Sequence, residues 1–426
     1  MLTTPALVPS LSVDAPAVAE RLEALADELI EAGSLRSPEW RRAFLQVHRH
    51  VFVPRFWRDE TPGQFPGHWR MLDRATADRQ QWLDAVYSNT TLATDLTAVP
   101  LRDGSGVYAQ VTSSTTMPGL VLAMLEDLDV ADGMTVLEIG TGTGYNAGLL
   151  CERLGAEHVT SIDIAPELVA LARVRLAEHG YKPHLIAGDG ALGAPQGAPW
   201  DRIIATCGLD EVPRAWIEQT RAGGKILLNL LGPFNMFALV LLTVAGGRAS
   251  GRFLRQSGGF MPRRANPVDP HNYAVAITAP EHGITDQHGD LDPTLLYSDS
   301  TWGLLAQTAL PGVVSRQIYV DDDEHLATEL FSAADGAWAL VHHDRDEAGH
   351  LVRQAGPRRI WDDLTALHQH WDGEGQPSYD RFGIAIDATT AETTSTDTTT
   401  TLWLDEPDGP QWELHGRGRA TAPSQR

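Results

Sequence analysis

The chain has 426 residues and a formal net charge of -23, with 33 Lys and Arg residues against 56 Asp and Glu residues. This length exceeds that of an ordinary single domain, so two or three domains are expected. The acidic balance argues against a nucleic-acid or anionic-membrane partner, because phosphates would be repelled over much of the surface. A cationic peptide segment would be attracted, although acidic proteins without such a partner are common.

The two cysteines, Cys151 and Cys207, predict neither a disulfide framework nor a cysteine zinc site. Cys207 follows a predicted strand near the expected ligand pocket, but no partnering base lies nearby in the sequence. We interpret it as a buried small hydrophobic residue rather than as a nucleophile. The N-terminus lacks a basic region followed by an apolar run, and no stretch of 18 or more apolar residues occurs. These features predict a cytoplasmic protein without a membrane span.

Two amphipathic helices are the first predicted elements. Apolar residues recur at helical spacing from Asp14 to about Ala32, and Gly33 is the expected stop. Ser37-Pro38 is the expected cap of the second helix. The apolar residues assigned to the two helices are Val18, Leu22, Leu25, Leu29, Ile30, Trp40, Phe44 and Val47. An irregular, Trp-rich segment follows, and residues 1–100 are predicted to form an N-terminal helical and irregular layer.

A strand, a three-glycine turn and a helix follow one another between Val136 and Asn146. The glycines Gly140, Gly142 and Gly144 permit a tight turn and let the backbone approach a ligand closely. The helix that begins near Tyr145 offers unpaired N–H groups to that ligand. A lone Gly-x-Gly-x-Gly pattern also serves dinucleotides or plain packing, so the neighbouring elements must decide between these uses.

Carboxylates follow the neighbouring strands of this region. The strand His158–Asp163 ends in an acid 19 residues beyond Gly144, which can accept both ribose hydroxyls of an adenosine. Gly188-Asp189-Gly190 places another acid beside the expected adenine pocket, and Glu138 can face the methionine part of a cofactor. Such acids suit S-adenosylmethionine, whose sulfonium and ammonium are cationic. They would repel the pyrophosphate of NAD, although a nicotinamide cofactor stays the main alternative.

The alternation of strands and helices predicts an α/β fold with a doubly wound, mostly parallel sheet and its ligand at the carboxyl ends of the strands. We assign residues 101–265 to this core and expect turns at Gly223-Gly224 and Gly246-Gly247. The predicted helices are Met117–Leu128, Asn146–Arg153, Pro166–His179 and Pro213–Gln219. The predicted strands are Thr135–Ile139, His158–Asp163, His184–Ala187, Trp200–Thr206, Ile226–Leu230 and Met236–Val244.

Residues 266–426 are predicted to form a C-terminal α+β auxiliary domain, joined to the core by a connector from Arg263 to Asn272. The predicted elements are β-type stretches at Ala274–Ile277 and Ala337–His342, a helix at Ile360–Trp371 and strands at Phe382–Ile386 and Thr401–Leu404. Thr389–Thr400 is almost wholly threonine, serine and acid, and we interpret it as a disordered hairpin loop. A phosphorylated or substrate-gripping tract is the alternative.

Histidines and tryptophans of this C-terminal region have competing interpretations. His342-His343-Asp344 and the pair His368 and His370 could bind a metal, but their side chains diverge on a strand and at i, i+2 on a helix. We therefore expect surface histidines and no metal. Trp302, Trp338, Trp361 and Trp371 could line a peptide groove, although a core position is the more ordinary role for such residues.

A series of short segments between about residues 40 and 265 resembles, in order, the protein-L-isoaspartate O-methyltransferase family. The segments are Ala43-Phe44, Phe52-Val53-Pro54, Gln110, Ser113, Met117, Val136–Ala147, Gly180-Tyr181, Gly188-Asp189-Gly190 and Val212-Pro213. The resemblance implies a class I S-adenosylmethionine-dependent methyltransferase with a Rossmann-like sheet, yielding S-adenosylhomocysteine. The implied cofactor residues are Glu138, Gly140, Thr141, Gly142, Gly144, Tyr145, Asn146, Asp163, Ile164, Gly188, Asp189 and Gly190.

The acceptor side departs from the family pattern. In the family, the counterpart of Ser113 lies where the acceptor carboxylate meets the methyl donor, which implies a catalytic role for Ser113 with Thr112 and Ser114 as further donors. Here the family's Ala-Pro-His after that serine is replaced by hydroxyl residues, and its Tyr-x-Asp-x-Pro-Leu stretch becomes Tyr87–Leu92. The implied substrate-binding residues are Tyr87, Asn89, Thr115 and Thr116.

A subset of the family carries an extra C-terminal domain and works beside ATP-grasp ligases on ribosomal peptides called graspetides. The chain resembles that subset in length, in about 160 added residues and in its altered acceptor stretch. The resemblance implies methylation of an aspartate side chain in a crosslinked precursor peptide, followed by closure to aspartimide. The alternatives are a repair enzyme with a drifted acceptor stretch and a non-catalytic module that binds a modified peptide or partner enzyme.

An acceptor carboxylate would require little catalytic machinery. Its pKa of about 4 leaves it ionised at neutral pH, so no strong general base is needed. The enzyme must hold one oxygen in line with the sulfonium methyl group and exclude water. A hydroxyl such as that of Ser113 would orient this oxygen by donating a hydrogen bond.

Overall fold

In this computed structural model the described residues are 15–61, 67–100, 106–232, 234, 237–264, 279–310, 313–320, 325–332, 335–388 and 399–414. The chain divides into two compact units. Unit 1 comprises residues 1–190 with 266–270, and unit 2 comprises residues 191–265 with 271–426. The domain boundaries after residues 100 and 265 stay predictions.

The helices of unit 1 bury apolar side chains, on one face in the first two helices and nearly all round in Pro118–Asp127 and Tyr145–Leu154. They are α1 (Ala15–Glu31), α2 (Pro38–Gln46), α3 (Arg49–Phe52), α4 (Arg79–Val86), α5 (Pro118–Asp127), α6 (Tyr145–Leu154) and α7 (Pro166–Glu178). The buried face of α1 is confirmed except at Ile30, which is 45% exposed because it lies one step of rotation beyond Leu29. The predicted cap of α2 is also confirmed, since the backbone N–H of Trp40 donates to the Ser37 hydroxyl at 3.3 Å.

A four-stranded antiparallel sheet follows the N-terminal helices. Its strands β1 (Arg55–Asp59), β2 (Trp69–Asp73), β3 (Leu92–Pro100) and β4 (Val107–Thr115) lie in the order β2-β1-β3-β4. The prediction of an irregular segment here was therefore wrong. β1 and β2 have five residues each and bury one side chain apiece, Phe56 and Leu72. Strands this short do not establish a periodic pattern in the sequence.

The glycine turn belongs to a parallel sheet in unit 1. Its strands β5 (Val136–Ile139), β6 (Val159–Asp163) and β7 (His184–Ala187) lie in the order β5-β6-β7, with Glu138 opposite Ser161. Helices α6 and α7 make the crossovers, as predicted. Every residue of β5 and β6 is buried, which is typical of parallel strands covered on both faces. The carboxyl ends of the three strands consequently meet at one edge.

Unit 2 contains a sheet that begins parallel and continues antiparallel. The elements of unit 2 as a whole are β8 (Trp200–Leu209), α8 (Arg214–Gln219), β9 (Thr220–Leu231), β10 (Phe237–Ala245), β11 (Arg248–Ser257), β12 (Thr285–Gly289), α9 (Leu295–Ser298), α10 (Ser300–Ala309), β13 (Val313–Val320), β14 (His325–Ser332), β15 (Trp338–Asp346), β16 (Gly349–Ala355), α11 (Ile360–Gly373), β17 (Phe382–Asp387), β18 (Thr399–Leu404) and β19 (Gln411–Leu414). The strands of this sheet lie in the order β19-β18-β17-β11-β10-β9-β8. Among the described strand pairs of this unit, only β8 and β9 are parallel. The mostly parallel sheet was therefore predicted correctly only up to β9.

The two predicted glycine turns have different outcomes. Gly246-Gly247 is confirmed as a two-residue turn between β10 and β11, with φ of +58° and +76°. Gly223-Gly224 instead lies within β9, so that prediction was wrong. The pairing with β8 jumps from Trp200 opposite Thr220 to Arg202 opposite Lys225. A left-handed Gly223 at φ +76° lets the backbone bulge without leaving the sheet.

A second antiparallel sheet in unit 2 has the order β12-β16-β15-β14-β13. The core interpretation of the four tryptophans is confirmed, with exposed fractions of 0% for Trp302, 3% for Trp338, 1% for Trp361 and 7% for Trp371. His368 packs its ring against Trp302 and Trp371 with centroid distances of 5.0 and 5.6 Å. His342 is only 9% exposed, so its surface assignment was wrong. It lies on the face of β15 that also carries Trp338 and Leu340.

The tail of the chain matches its predicted elements where it is described. Helix α11 is confirmed, and β17 and β18 pair antiparallel as expected. The predicted stretch Ala274–Ile277 and residues 389–398 of the threonine-rich tract lie outside the described residues. Cys207 is half-buried rather than fully buried. Among the described residues, no helix has the length and apolar character needed to cross a membrane.

Candidate active site

The three glycines of the turn after β5 all adopt a left-handed backbone. Their φ angles are +100° at Gly140, +51° at Gly142 and +88° at Gly144, which residues with a Cβ rarely adopt. The N–H of Gly140 donates to the Ile162 carbonyl at 2.8 Å, and that of Gly144 donates to the Thr141 carbonyl at 2.8 Å. The turn is thereby fixed against β6 and closes directly into α6.

Asp163, at the carboxyl end of β6, is bonded to the glycine turn. Its Oδ2 accepts from the Gly142 N–H at 2.8 Å, and its Oδ1 accepts from the Ala165 N–H at 3.0 Å. A carboxylate has about four lone-pair sites, so two amides leave capacity for two ribose hydroxyls. The Asp163 carbonyl also accepts from the N–H of Gly188. One residue therefore links the glycine turn to the turn after β7.

The turn after β7 packs tightly against β5. A Cβ at Gly190 would lie 2.5 Å from Cγ2 of Ile139, so the turn keeps its position only with glycine there. Asp189 and Ile164 are half-buried beside it. The predicted adenine-side residues thus gather at the same sheet edge as the glycine turn, while their contacts with a cofactor stay predictions.

Glu138 is completely buried beneath the glycine turn. Its Oε1 accepts from the Asn146 side-chain amide at 2.7 Å, and its Oε2 accepts from the Ser161 hydroxyl. Burial raises the pKa of Glu138 to about 7, although both hydrogen bonds oppose this shift. Ser161 also bonds to the Thr141 hydroxyl at 2.6 Å. Glu138 therefore orients the first turn of α6 and the glycine turn, and its contact with the methionine part of a cofactor stays a prediction.

The side chain of Tyr145 packs into the N-terminal part of unit 1. Its ring lies 5.7 Å from the Phe52 ring, and the Arg49 guanidinium lies 6.0 Å from its centroid. Burial raises the pKa of the Tyr145 phenol. In this arrangement the backbone of Tyr145, at the start of α6, is the part adjacent to the glycine turn.

The end of β4 runs beside the glycine turn. The Ser114 carbonyl oxygen lies 3.7 Å from the position that a Cβ on Gly142 would occupy. Ser113, the preceding residue, is 4% exposed and accepts a hydrogen bond from the Thr94 hydroxyl at 2.9 Å. The Thr112 hydroxyl donates to Asp95 Oδ2 at 3.0 Å. The structure therefore brings the predicted catalytic residues close to the predicted cofactor turn.

Each predicted substrate-binding residue has an internal contact. The Tyr87 hydroxyl lies 2.6 Å from Nδ1 of His50, and Tyr87 is 6% exposed. Asn89 Oδ1 accepts from the Gly119 N–H at 2.8 Å and so caps α5. Thr115 is 3% exposed, and Thr116 is half-buried. A direct contact with a substrate stays a prediction for all four.

Arg49 connects the segments that carry the predicted substrate-binding residues, and this role was not predicted from the sequence. It is 1% exposed, and burial lowers its pKa to about 10. Its guanidinium donates to carbonyl oxygens at 2.8 to 3.5 Å. The acceptors are Val86, Ser88, Thr90, Thr115 and Thr116. A fork of five N–H donors suits such a set of carbonyls, and it ties the segment after α4 to the end of β4.

The chain is similar in sequence to known proteins of one family. A family model for protein-L-isoaspartate(D-aspartate) O-methyltransferase matches residues 74–237. The protein-L-isoaspartate O-methyltransferase of Pyrococcus abyssi is 32% identical over 247 residues, which cover 57% of this chain and 94% of that enzyme. The chain belongs to the protein-L-isoaspartate O-methyltransferase family. The enzyme of that name from Thermococcus sibiricus is 31% identical over 242 residues, covering 56% of this chain and 90% of the relative.

A solved protein-L-isoaspartate O-methyltransferase structure aligns with 85% of this chain and 95% of its own, with 20% identity and a TM-score of 0.47. Family membership makes the chain an S-adenosylmethionine-dependent carboxyl O-methyltransferase with a class I methyltransferase fold. Both the nicotinamide alternative and the non-catalytic alternative are therefore wrong.

The residues at the sheet edge fit this cofactor. Three left-handed glycines leave the turn without Cβ atoms, and Asp163 keeps unused lone pairs where ribose hydroxyls would lie. Gly140, Gly142, Gly144, Asp163 and the segment 188–190 would hold the cofactor. When bound, it supplies an electrophilic methyl group on a cationic sulfur and leaves as S-adenosylhomocysteine.

Proposed function

We propose that this enzyme methylates an aspartate side-chain carboxylate in a ribosomally synthesised, crosslinked peptide and that the ester then closes to aspartimide. The observation that carries the proposal is the position of Ser113. This hydroxyl is buried at the end of β4, one residue from the carbonyl that borders the glycine turn. A donor at this place can orient an anionic oxygen where the methyl group is delivered. We further propose that the enzyme acts in the cytoplasm.

Methyl transfer to a carboxylate requires the enzyme to orient the acceptor oxygen rather than to remove a proton from it. An aspartate carboxylate with a pKa of about 4 is already a nucleophile at neutral pH. Ser113 would donate a hydrogen bond to the carboxylate oxygen that does not react, which fixes the direction of the other oxygen. Burial of Ser113 and of the neighbouring Thr115 would exclude water from this position.

The methyl ester then permits ring closure within the peptide. The backbone nitrogen of the following peptide residue attacks the ester carbonyl carbon, and a C–N bond forms. The C–O bond to the methoxy group breaks, and methanol leaves with the proton of that nitrogen. The product is a five-membered imide. This sequence needs no group from the enzyme beyond the one that made the ester.

The acceptor side and the length of the chain support a specific peptide over a generic substrate. The stretch after Ser113 carries hydroxyl residues in place of the family's Ala-Pro-His. The match to the Pyrococcus abyssi enzyme uses 57% of this chain for 94% of that enzyme, so this chain is much longer. The sheet β12–β16 lies beyond the residues matched by the family model. Additional structure of this kind is suited to selecting a peptide.

Repair of isoaspartyl proteins is the second candidate function. It is favoured by the identity of 31–32% to relatives named for that activity, over 90–94% of their lengths. The two candidates share the cofactor, the fold and the carboxylate chemistry, and they differ in the acceptor.

One labelled-methyl assay separates the two candidates. The purified enzyme would be incubated with S-adenosylmethionine and either a generic isoaspartyl peptide or a ligase-modified precursor peptide. The proposal expects the precursor to gain one methylene in mass and then to lose methanol, with little transfer to the isoaspartyl peptide. Transfer to the isoaspartyl peptide alone would establish repair instead. The variant Ser113→Ala tests the site, and an unchanged rate in that variant would remove Ser113 from the mechanism.

A further inference from the structure

The strands β3 and β4 are both bulged at one place. Ala93 lies opposite Ser114, and Asp95 lies opposite Ser113, so Thr94 is an extra residue on β3. The next pair joins Leu96 to Val111, so Thr112 is an extra residue on β4. One bulge on each strand therefore flanks the Asp95–Ser113 pair. Bulges re-aim side chains and are frequent beside active sites.

The two bulged threonines each donate to the opposite strand. Thr94 Oγ1 donates to Ser113 Oγ at 2.9 Å, and Thr112 Oγ1 donates to Asp95 Oδ2 at 3.0 Å. The pairs on either side of the bulges would, if continued, place Thr94 opposite Ser113 and Thr112 opposite Asp95, so both hydrogen bonds join cross-strand neighbours. The pairing of β3 with β4 thus places a hydroxyl donor on the oxygen of the predicted catalytic serine.

The direction of the first hydrogen bond fixes what Ser113 can do. A serine hydroxyl has one hydrogen to donate and two lone pairs that accept. Because Thr94 occupies one lone pair of Ser113, the hydrogen of Ser113 is left for another acceptor. A hydroxyl that accepts a hydrogen bond also becomes a stronger donor, since chained hydrogen bonds polarise one another.

Asp95 is paired with Ser113 across the two strands, and its carboxylate accepts a hydrogen bond from the Thr112 hydroxyl. Its side chain is exposed, so water shares its remaining lone pairs. Thr112 therefore holds the Asp95 carboxylate by this hydrogen bond. The Ser113 hydrogen is then available to a carboxylate that arrives from outside.

We propose that Thr94 is a positioning residue for methyl transfer, which sets the Ser113 hydroxyl as a hydrogen-bond donor to the acceptor carboxylate. This inference rests on the proposed function, in which Ser113 orients that carboxylate. A Ser113 hydroxyl whose hydrogen is set to donate suits an acceptor oxygen that carries no proton, such as a carboxylate oxygen.

Thr94 offers a clean set of variants because it lies in a strand. Thr94→Val keeps the β-branched shape and removes the donor, whereas Thr94→Ser keeps the donor. Thr97→Val is the matched control, since Thr97 lies on the same strand and is exposed. Ser113→Ala and the double variant Thr94→Val/Ser113→Ala complete a double-mutant cycle.

The cycle is measured as kcat and KM for methyl transfer from labelled S-adenosylmethionine to whichever peptide, isoaspartyl or precursor, the wild type methylates. Thr94→Val should lower kcat roughly tenfold, the order expected for one net hydrogen bond. Thr94→Ser should stay within about twofold of wild type, as should Thr97→Val, because neither loses that bond. The double variant should be no slower than Ser113→Ala alone. Calorimetry should give the same S-adenosylhomocysteine affinity for Thr94→Val and wild type.

Each contrary result has a distinct meaning. An unchanged rate in Ser113→Ala overturns the proposed function of the site. A loss in Ser113→Ala without a loss in Thr94→Val overturns the positioning role, and so do losses that multiply in the double variant. If neither peptide is methylated, the acceptor assignment fails, and crystal structures of wild type and Thr94→Val still test the inference. An identical Ser113 side-chain rotamer in the two structures would then overturn it.

Discussion

Asp163 Oδ2 accepts a hydrogen bond from the Gly142 N–H at 2.8 Å, and this contact joins the end of β6 to the middle of the glycine turn. The carboxylate thereby orders the turn. The predicted cofactor role of Asp163 would give this acid a second task, in binding, beside the structural one. The two can be separated by substitution.

Asp163→Asn and Asp163→Ala should lower the affinity for S-adenosylhomocysteine to different extents. The alanine variant loses both the ribose acceptor and the bond to Gly142, and we expect at least a tenfold loss, since hydrogen bonds to charged groups contribute about 1.5–3 kcal/mol. The asparagine variant keeps one oxygen acceptor and should lose less. Isothermal titration calorimetry measures both. Equal affinity in Asp163→Ala and wild type would contradict the assignment.

Gly144→Ala should impair both folding stability and cofactor binding. Gly144 has φ +88°, and an added Cβ would lie 3.1 Å from Cβ of Ala172. Left-handed strain alone costs about 1–2 kcal/mol. Gly180→Ala is the control, because it has φ +81° but nothing within 4 Å of the added Cβ. Both variants should lose stability in urea unfolding, but only Gly144→Ala should also lose affinity for S-adenosylhomocysteine.

Removal of the Arg49 guanidinium should destabilise unit 1 strongly. Arg49→Met leaves five carbonyl oxygens without this donor, and a buried network of this size predicts a loss of about 3 kcal/mol or more in the free energy of unfolding. Arg41→Gln removes a surface ion pair with Glu23 and should change it by less than about 1 kcal/mol. Equal unfolding midpoints for the two variants would show that the hydrogen bonds of Arg49 do not stabilise unit 1.

A cluster of one buried histidine, His50, and two half-buried ones, His48 and His179, should make unit 1 sensitive to acid. Burial lowers the pKa of His48 and of His179, and it lowers the pKa of His50 to about 3. The His179 ring stacks on Phe52 and Tyr181 with centroid distances of 5.4 and 5.8 Å. The unfolded chain, with histidine pKa values of about 6.5, binds more protons below that pH. The contribution of these three histidines to stability is therefore fully present above pH 6.5 and is lost as the pH drops from 6.5 towards 3.

His179→Phe should reduce this acid sensitivity. Urea midpoints at about pH 7.5 and about pH 5.5 should differ less in His179→Phe than in wild type, because one group that gains a proton on unfolding has been removed. The exposed His370 in unit 2 serves as the control. His370→Gln should keep the wild-type difference. A His179→Phe variant with an undiminished difference would mean that His179 does not contribute to the acid response.

Local patterns in the sequence predicted the glycine turn and the strand and helix on either side of it. The strand, the glycines and the helix from Val136 to Leu154 are contiguous, so their periodicity and the glycine positions specify the turn directly. The parallel strands of unit 1 followed from the same reasoning. Only the family resemblance, and no local pattern, pointed to Ser113.

Thr94 and Arg49 could not be predicted because their roles depend on contacts distant in sequence. Thr94 reaches Ser113 only because β3 pairs with β4, and the sequence of neither strand specifies the register of that pairing. Arg49 lies 37 residues from Val86 and 67 from Thr116 in the chain. A single arginine between two histidines gives no sign of such partners. The buried face of β15 was misjudged for a similar reason, since His342 continues an apolar face that only the sheet defines.

The atom that receives the methyl group is the most direct test of the account. After reaction with labelled S-adenosylmethionine, tandem mass spectrometry of the peptide would locate the label before and after brief treatment with mild base. The account predicts a label on an aspartyl or isoaspartyl carboxylate that base releases as methanol, and a strongly reduced label with Ser113→Ala. A base-stable methyl group on a nitrogen or hydroxyl oxygen would contradict it.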